Sequence, residues 1–179
     1  MEVLIIVVLL IILLAIWIVS TQQKLAVMDE NINNTMGQIG VQLSSRFDVL
    51  ISLLDLTKCY AEDEFQGLIL TVQTQRSPIT AQSKPKEVLR QEQIISEILG
   101  RIIMIAEHCP ELKADKNYIR YMDAVDCYER MVHTSCLIYN DSVTKFNQSL
   151  RSVPTNLIAR LLGFYQQEYL EASIRNKQL

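Results

Sequence analysis

Residues Val3 to Val19 read VLIIVVLLIILLAIWIV, without a charged or polar side chain. A membrane span needs about 17–25 mostly apolar residues, and Ser20 and Thr21 can carry the helix on into the interface. Leu, Ile and Val each favour insertion by a few tenths of a kcal/mol, so the run favours the bilayer by roughly 5–10 kcal/mol. Helix is the single-segment structure that satisfies its own backbone in lipid, so the β-branched content does not argue for a strand. Trp17 lies near one end, where an indole suits the headgroup region.

Other uses of the run fit less well. A cleaved signal peptide would bring a basic start, a shorter apolar core and a small-x-small cleavage site. Here the start is Met1-Glu2, the run is long, and no Ala-x-Ala follows. A lipoprotein would need a Cys after the run. A buried core helix is rarely so uniformly aliphatic for so long. The reading favoured is an uncleaved anchor over residues 1–21, with membrane lipid as its partner through Val3–Val19. Lys24 just after the span places the following domain on the cytoplasmic side under the positive-inside rule. The four cysteines are unevenly spaced and suggest no disulfide framework, which agrees with a reducing compartment.

About 155 residues remain, enough for one domain with one core. The net charge of −3, with scattered basic residues, gives no footprint for nucleic acid. Gly and Pro are scarce, and Leu, Ile, Gln and Glu are plentiful, which is a helical composition. From Ser20 to Arg76 there is no proline. Leu25, Met28, Ile32, Met36, Ile39, Leu43, Phe47, Leu50, Leu53 or Leu54, and Leu56 recur at three-and-four spacing. Nothing between Val19 and Leu25 reads as a linker, so the apolar helix is expected to run straight into this one. A helix from Ser20 to Arg76 would be about 85 Å long, which predicts a projecting stalk or a break, with Gly67 the expected soft point.

Residues 77–86, SPITAQSKPK, form the clearest loop. A second long helix is expected from Lys86 or Glu87 to about Glu107, with Gly100 marking a close helix approach. His108-Cys109-Pro110-Glu111 ends it. Asp115 is placed to cap a third long helix, Lys116 to Arg151, with Ile119, Met122, Val125, Met131 or Val132, Leu137, Val143, Phe146 and Leu150 as its core. Pro154 starts a shorter fourth helix, for which Gly163 suits the C-terminal cap. The tail beyond 165 is expected to fray. The architecture expected is an all-α antiparallel helical bundle over residues 22–165, of three long helices plus a shorter fourth, with an N-terminal single-span transmembrane helix and a tail over 166–179.

Gln38-Ile39-Gly40-Val41-Gln42-Leu43 with Arg46, Asp48-Val49-Leu50, Lys58 and Tyr60-Ala61 resembles the first block of the LemA family. Pro110-Glu111-Leu112-Lys113-Ala114 with Asn117-Tyr118 resembles the second. Tyr139-Asn140, Val143, Phe146-Asn147, Val153-Pro154, Asn156-Leu157, Ala159 and Gly163-Phe164 resemble the third and fourth. The likeness covers nearly the whole chain. It departs where the family has an acidic residue for Gly40, Pro-Asn for Ile51-Ser52, Gly for Cys59, His-Glu for Asp63-Glu64 and Arg for Cys136. The resemblance implies a membrane-anchored helical bundle in the inner or cytoplasmic membrane of a bacterium, with no established enzymatic activity. Gln42, Arg46, Asp48, Tyr60, Glu129, Tyr139, Asn140, Asn147, Pro154, Asn156, Gly163 and Phe164 are then the positions expected to matter structurally.

Read as chemistry, Arg46 falls on or beside the apolar stripe. It either pairs inside the bundle with an acidic group such as Glu129, or both snorkel to solvent. Asn140 and Asn147, seven residues apart, share a helix face. They suit an amide ladder to a neighbouring helix or to backbone, or else a ligand site. Asn156 is placed to cap the short helix. His133 with Cys136 and Cys127 lacks the four convergent ligands that zinc wants, and no Glu-x-x-His motif is present for a di-iron site. Asp63-Glu64 and Asp123-Asp126 read as solvated faces. No nucleophile elbow, Walker loop or dinucleotide fingerprint occurs. Leu157, Ile158, Leu161, Leu162 and Phe164 make an apolar patch that either closes the bundle or faces a partner, a like subunit or the bilayer. Without a convergent acid, base or nucleophile, the function expected is a non-enzymatic membrane scaffold or interaction protein. It would need no cofactor, and its partners would be copies of itself or another membrane protein. The alternative is a sensor or regulator that transmits a signal through the first helix.

Overall fold

The computed structural model describes residues 1–58 and 62–170, apart from the side chains of Asp63 and Glu64. It is all-helical, with α1 Glu2–Thr57, α2 Glu62–Gln75, α3 Pro85–His108, α4 Pro110–Ala114, α5 Lys116–Arg151 and α6 Thr155–Leu161. The 56 residues of α1 span about 84 Å. Its apolar run enters the domain without a break at Ser20–Lys24, as the absence of a linker predicts. Among the described residues, one helix is thus long and apolar enough to cross a membrane, and its most apolar window is uncovered by the rest of the described chain. Burial begins at Leu25 and continues through Ile32, Met36, Ile39, Leu43, Phe47, Leu50, Leu53 and Leu54. This is the predicted stripe. Each such side chain is worth about 1.5–3 kcal/mol when fully removed from water.

That stripe packs against α3 and α5. From α3 come Val88, Ile94, Ile95, Ile98 and Ile102, and from α5 Val125, Val132, Val143 and Phe146. The buried face of α5 is turned slightly from the expected one. Tyr118, Ser135, Cys136 and Tyr139 are buried, while Ile119, Met131 and Leu137 are about half exposed. A polar-rich helix lets packing, not hydropathy, choose its face. The ends follow local chemistry. Pro85 opens α3 after an extended Lys84. The Asp115 carboxylate accepts the Asn117 N–H at 2.6 Å, as its place before α5 predicts. Beyond α6, Gly163 takes φ +78°. Its N–H donates to the Arg160 carbonyl, and the Phe164 N–H donates to Ala159, which is the Schellman pattern.

The break in the first long segment differs from the expectation. The first helix ends at Thr57, and Gly67 lies inside α2 with open space around it. Phe65, Leu68 and Val72 dock α2 on the core, and this burial outweighs the roughly 1 kcal/mol that a mid-helix glycine costs. Gly100 also has nothing within 4 Å, so it marks no close approach. Gly40 does. The segment after α2 runs back along α1, and a Cβ on Gly40 would sit 2.1 Å from the Ile79 carbonyl oxygen. The same segment is tied to α3 by buried Gln91, whose amide accepts from the Ser77 N–H and donates to the Gln75 carbonyl and the Ser77 hydroxyl.

In a helix interior, Gly→Ala would ordinarily stabilise by roughly 0.5–1 kcal/mol. At Gly40 the obstacle is backbone that cannot swing aside, and overpacking of this kind costs about 1–3 kcal/mol. Gly40→Ala is therefore expected to lower the thermal midpoint of the detergent-solubilised chain, whereas Gly100→Ala raises it or leaves it unchanged.

Candidate functional site

The most unusual buried group is Arg46, on α1, with 2% of its side chain exposed. Its Nη1 donates to both carboxylate oxygens of Glu92 on α3, at 2.9 and 3.0 Å. Its Nη2 donates to Glu129 Oε2 on α5 at 2.9 Å. The pairing of Arg46 with Glu129 is therefore real, and neither snorkels free of the other. Glu92 is the partner that sequence reasoning missed. Glu92 and Glu129 keep 20% and 31% exposure, so each carboxylate retains contact with water while the guanidinium does not. Nε of Arg46 is buried without a hydrogen-bond partner among the described residues. Cys136 lies close by on α5, where the resemblance puts an arginine. Burial, reinforced by the Glu92 charge, pushes its thiol up to about 12. It is therefore a protonated packing residue, not a nucleophile.

Gln42, one turn before Arg46, accepts the Ser135 hydroxyl at 3.0 Å. Asp48 faces outward and pairs with Arg76 at 2.9 Å, with 64% and 30% exposure. A surface pair of this kind contributes about 1 kcal/mol at most. Arg76 also lies over the Phe47 ring. Tyr60 lies outside the described residues, as do Cys59 and Ala61.

A second constellation holds the segment after α6. Of the tail expected to fray, residues 171–179 lie outside the described residues, and residues up to 170 are ordered. Residues 164–170 lie extended along α5, and Leu170 is buried. The Asn147 amide donates to the Gln167 carbonyl at 3.0 Å and accepts the Gln167 N–H at 2.9 Å. Asn140 makes the same closed pair with Leu170, at 3.0 and 2.9 Å. Between them, the Tyr139 hydroxyl donates to the Glu168 carbonyl at 3.1 Å. Burial, then the Glu168 charge, raises the Tyr139 pKa. The shared face of Asn140 and Asn147 is thus an amide ladder to backbone, and the backbone is an extended strap, not a helix. Gln167 further donates to Asp29 on α1 at 3.1 Å.

Pro154 occupies the N-cap position of α6 with no side-chain cap. Asn156 does not cap this helix as expected. Its N–H donates to the Ser152 carbonyl, and its side-chain oxygen is buried without a hydrogen-bond partner among the described residues. Phe164 stacks edge-on against Phe146 at 6.2 Å. The apolar patch divides. Ile158, with Ala159 beside it, is buried against the bundle, and Leu157, Leu161 and Leu162 are exposed.

Among the described residues, no three His, Cys, Asp or Glu side chains converge on a point that could hold a metal ion. His133 and Cys127 are exposed, whereas Cys136 is buried. A solvent-open cleft of about 310 Å³ lies at the edge of the core, where Ile32, Met36 and Tyr139 meet residues 81–85 and the strap.

The bundle has relatives. The LemA family model matches residues 35–178. The chain belongs to the LemA family. It is also similar to Protein LemA of Metamycoplasma hominis, 28% identical over 149 residues, which cover 81% of this chain and 67% of that protein. The family match takes in Arg46, Glu92, Glu129 and both clamping asparagines, and it begins beyond the exposed apolar run.

Removing one partner of a buried ion pair costs about 3–5 kcal/mol, and the partial exposure of both carboxylates reduces this. Arg46→Met is expected to destabilise the LemA-family chain by about 2–4 kcal/mol. Adding Glu92→Gln and Glu129→Gln is expected to restore much of the loss, because the two carboxylates that the guanidinium drew together no longer repel each other. Denaturant titration of the single and triple variants checks this.

Each closed amide pair holds two hydrogen bonds worth about 1 kcal/mol apiece. Asn147→Ala is accordingly expected to speed hydrogen exchange at the Gln167 amide by about tenfold or more, since 1.4 kcal/mol is a factor of ten. Exchange in the middle of α3 should not change.

Proposed function

We propose that this LemA-family chain is a single-span membrane protein whose bundle is a non-enzymatic scaffold, held in a set pose over the bilayer by α1. One observation carries the reading. The exposed apolar run and the most buried stripe of the bundle belong to one uninterrupted helix, Glu2–Thr57. A cleavable leader has no need to supply the central helix of the domain behind it. Conversely, an uncovered run of this length is unstable in water. The polar groups of the interior support a structural role. The guanidinium of Arg46 goes into joining three helices, and the amides of Asn140 and Asn147 into holding a strap. Lys24 at the end of the run favours a cytoplasmic bundle. Partners would be further copies of the chain or another protein of the inner or cytoplasmic membrane.

A sensor that signals through α1 shares the same continuity. It would work by a ligand entering the open cleft between Met36, Tyr139 and the strap. That cleft is open to solvent and is lined by Ile32 and Met36 of α1 as well as by the strap, so a ligand there would touch the edge of the buried stripe. The scaffold is the reading favoured, because Arg46, Asn140 and Asn147 are already engaged in joining helices and holding the strap.

Gentle detergent extraction followed by crosslinking mass spectrometry is expected to give reproducible crosslinks, to the chain itself or to a second membrane protein. A monomer without crosslinks would overturn the scaffold. Cys127, exposed on α5, reports the side of the membrane. A membrane-impermeant maleimide should reach it only after the cells are permeabilised, and Cys127→Ser serves as the blank.

A further inference from the structure

We propose that α6 is a second bilayer contact, lying in the headgroup layer with its outer face against lipid; the inference rests on α1 being a membrane span. The outer face is apolar. Leu157 and Leu161, one turn apart, are 62% and 86% exposed, and Val153, just before the helix, is 80% exposed. Ile158 and Ala159, on the other side of the helix, are buried against the bundle. The exposed pair thus points away from the domain, and Tyr165 beyond the Gly163 turn is exposed as well.

The position of α6 identifies the occupant. Ser149 meets Met28, and Ser135 meets Gln42, so α5 runs antiparallel to α1 in a known register. It ends at Arg151, level with the point where burial of α1 begins, and α6 then packs on α1 across that end of the bundle. The apolar part of α1 projects from the same end. From Val19 to Leu25 is six residues, about 9 Å along the axis. The interfacial layer on each side of a bilayer is about 5–8 Å deep, and interfacial helices sink their apolar faces about 5–10 Å into the headgroup boundary. With Val3–Val19 in the hydrocarbon, the straight α1 brings α6 to this layer. The composition suits it. From Arg151 to Gln167 the chain has two arginines and no carboxylate, so this segment itself carries no anionic group to oppose lipid phosphates. Tyr165, 77% exposed, is a residue type favoured at membrane interfaces.

The full-length chain in dioleoyl-phosphatidylcholine vesicles tests this. A photoreactive benzoyl-phenylalanine replaces Leu161 in one variant and Leu70 in another. Both sites are exposed, so both variants should fold, and Leu70 lies on α2 towards the far end of the bundle. Irradiation is expected to give several-fold more lipid adduct at 161 than at 70. Trp17, the single tryptophan, reports separately on the span through quenching by brominated lipid. Trp17 quenched with equal, low lipid adducts at both sites would overturn the α6 contact and leave the span standing. Protein adducts at 161 in place of lipid would overturn it in favour of a second polypeptide. An unquenched Trp17 would overturn the span, and the α6 contact with it.

Discussion

A guanidinium inside an apolar seam is tolerable only where anions reach it. An unpartnered buried charge costs several kcal/mol, a large part of a domain's net stability. In this chain the seam is the Leu25–Leu54 stripe of α1, and the charge is Arg46. The anions come from α3 and α5, so both helices must place a carboxylate at one height on the first. A slip of one helical turn, about 5.4 Å, would pull either out of reach. Leucine and isoleucine stripes repeat and would tolerate such a slip far better. The Gln42–Ser135 and Met28–Ser149 contacts agree with the register that the triad sets.

Once that register is set, α5 ends at the level where α1 leaves the bundle, and the chain has to turn back. The Schellman turn at Gly163 starts an extended strap along the outside of α5. Extended chain outside a sheet has no ladder for its N–H and C=O groups, and buried backbone groups need partners. Asn140 and Asn147, on one face, supply a donor and an acceptor each at two points of the strap. The asparagines read the backbone of residues 167 and 170, not their side chains, which makes the clamp tolerant of sequence in the strap. Their separation matches the strap because two helical turns advance about 10.5 Å and three extended residues about 10 Å.

Continuity of α1 connects this interior to the apolar run. Helical hydrogen bonding persists from Glu2 to Thr57, so no loop separates the uncovered part from the core-lining part. In the proposed reading, a membrane holding the first part also orients the second. It then brings α6, with exposed Leu157 and Leu161, to the lipid surface.

What was legible in the sequence was local. The apolar run, the three-and-four stripe of α1, the Asp115 cap, the Pro85–His108 helix and the Gly163 turn each depend on residues within a few positions of one another. Periodicity and backbone sterics act at that range. The LemA resemblance named Arg46, Asn140 and Asn147 but not what they hold. Glu92 could not be read as the second anion, because nothing near it in the chain marks a carboxylate that faces inward 46 residues from its partner. Gly67 and Gly100 looked like the informative glycines, yet Gly40 is the one pressed against a carbonyl, since closeness depends on which loop folds back over it. The strap was invisible for the same reason: residues 164–170 have no periodicity of their own and owe their order to asparagines on another element. The sequence by itself determined where α3 and α5 begin and end and which stripe of α1 is apolar, but not the end of α1 at Thr57. Only the tertiary structure decided which charges meet, which glycine is tight and where the chain after α6 lies, because those free energies arise between groups that are distant in sequence and adjacent only after folding.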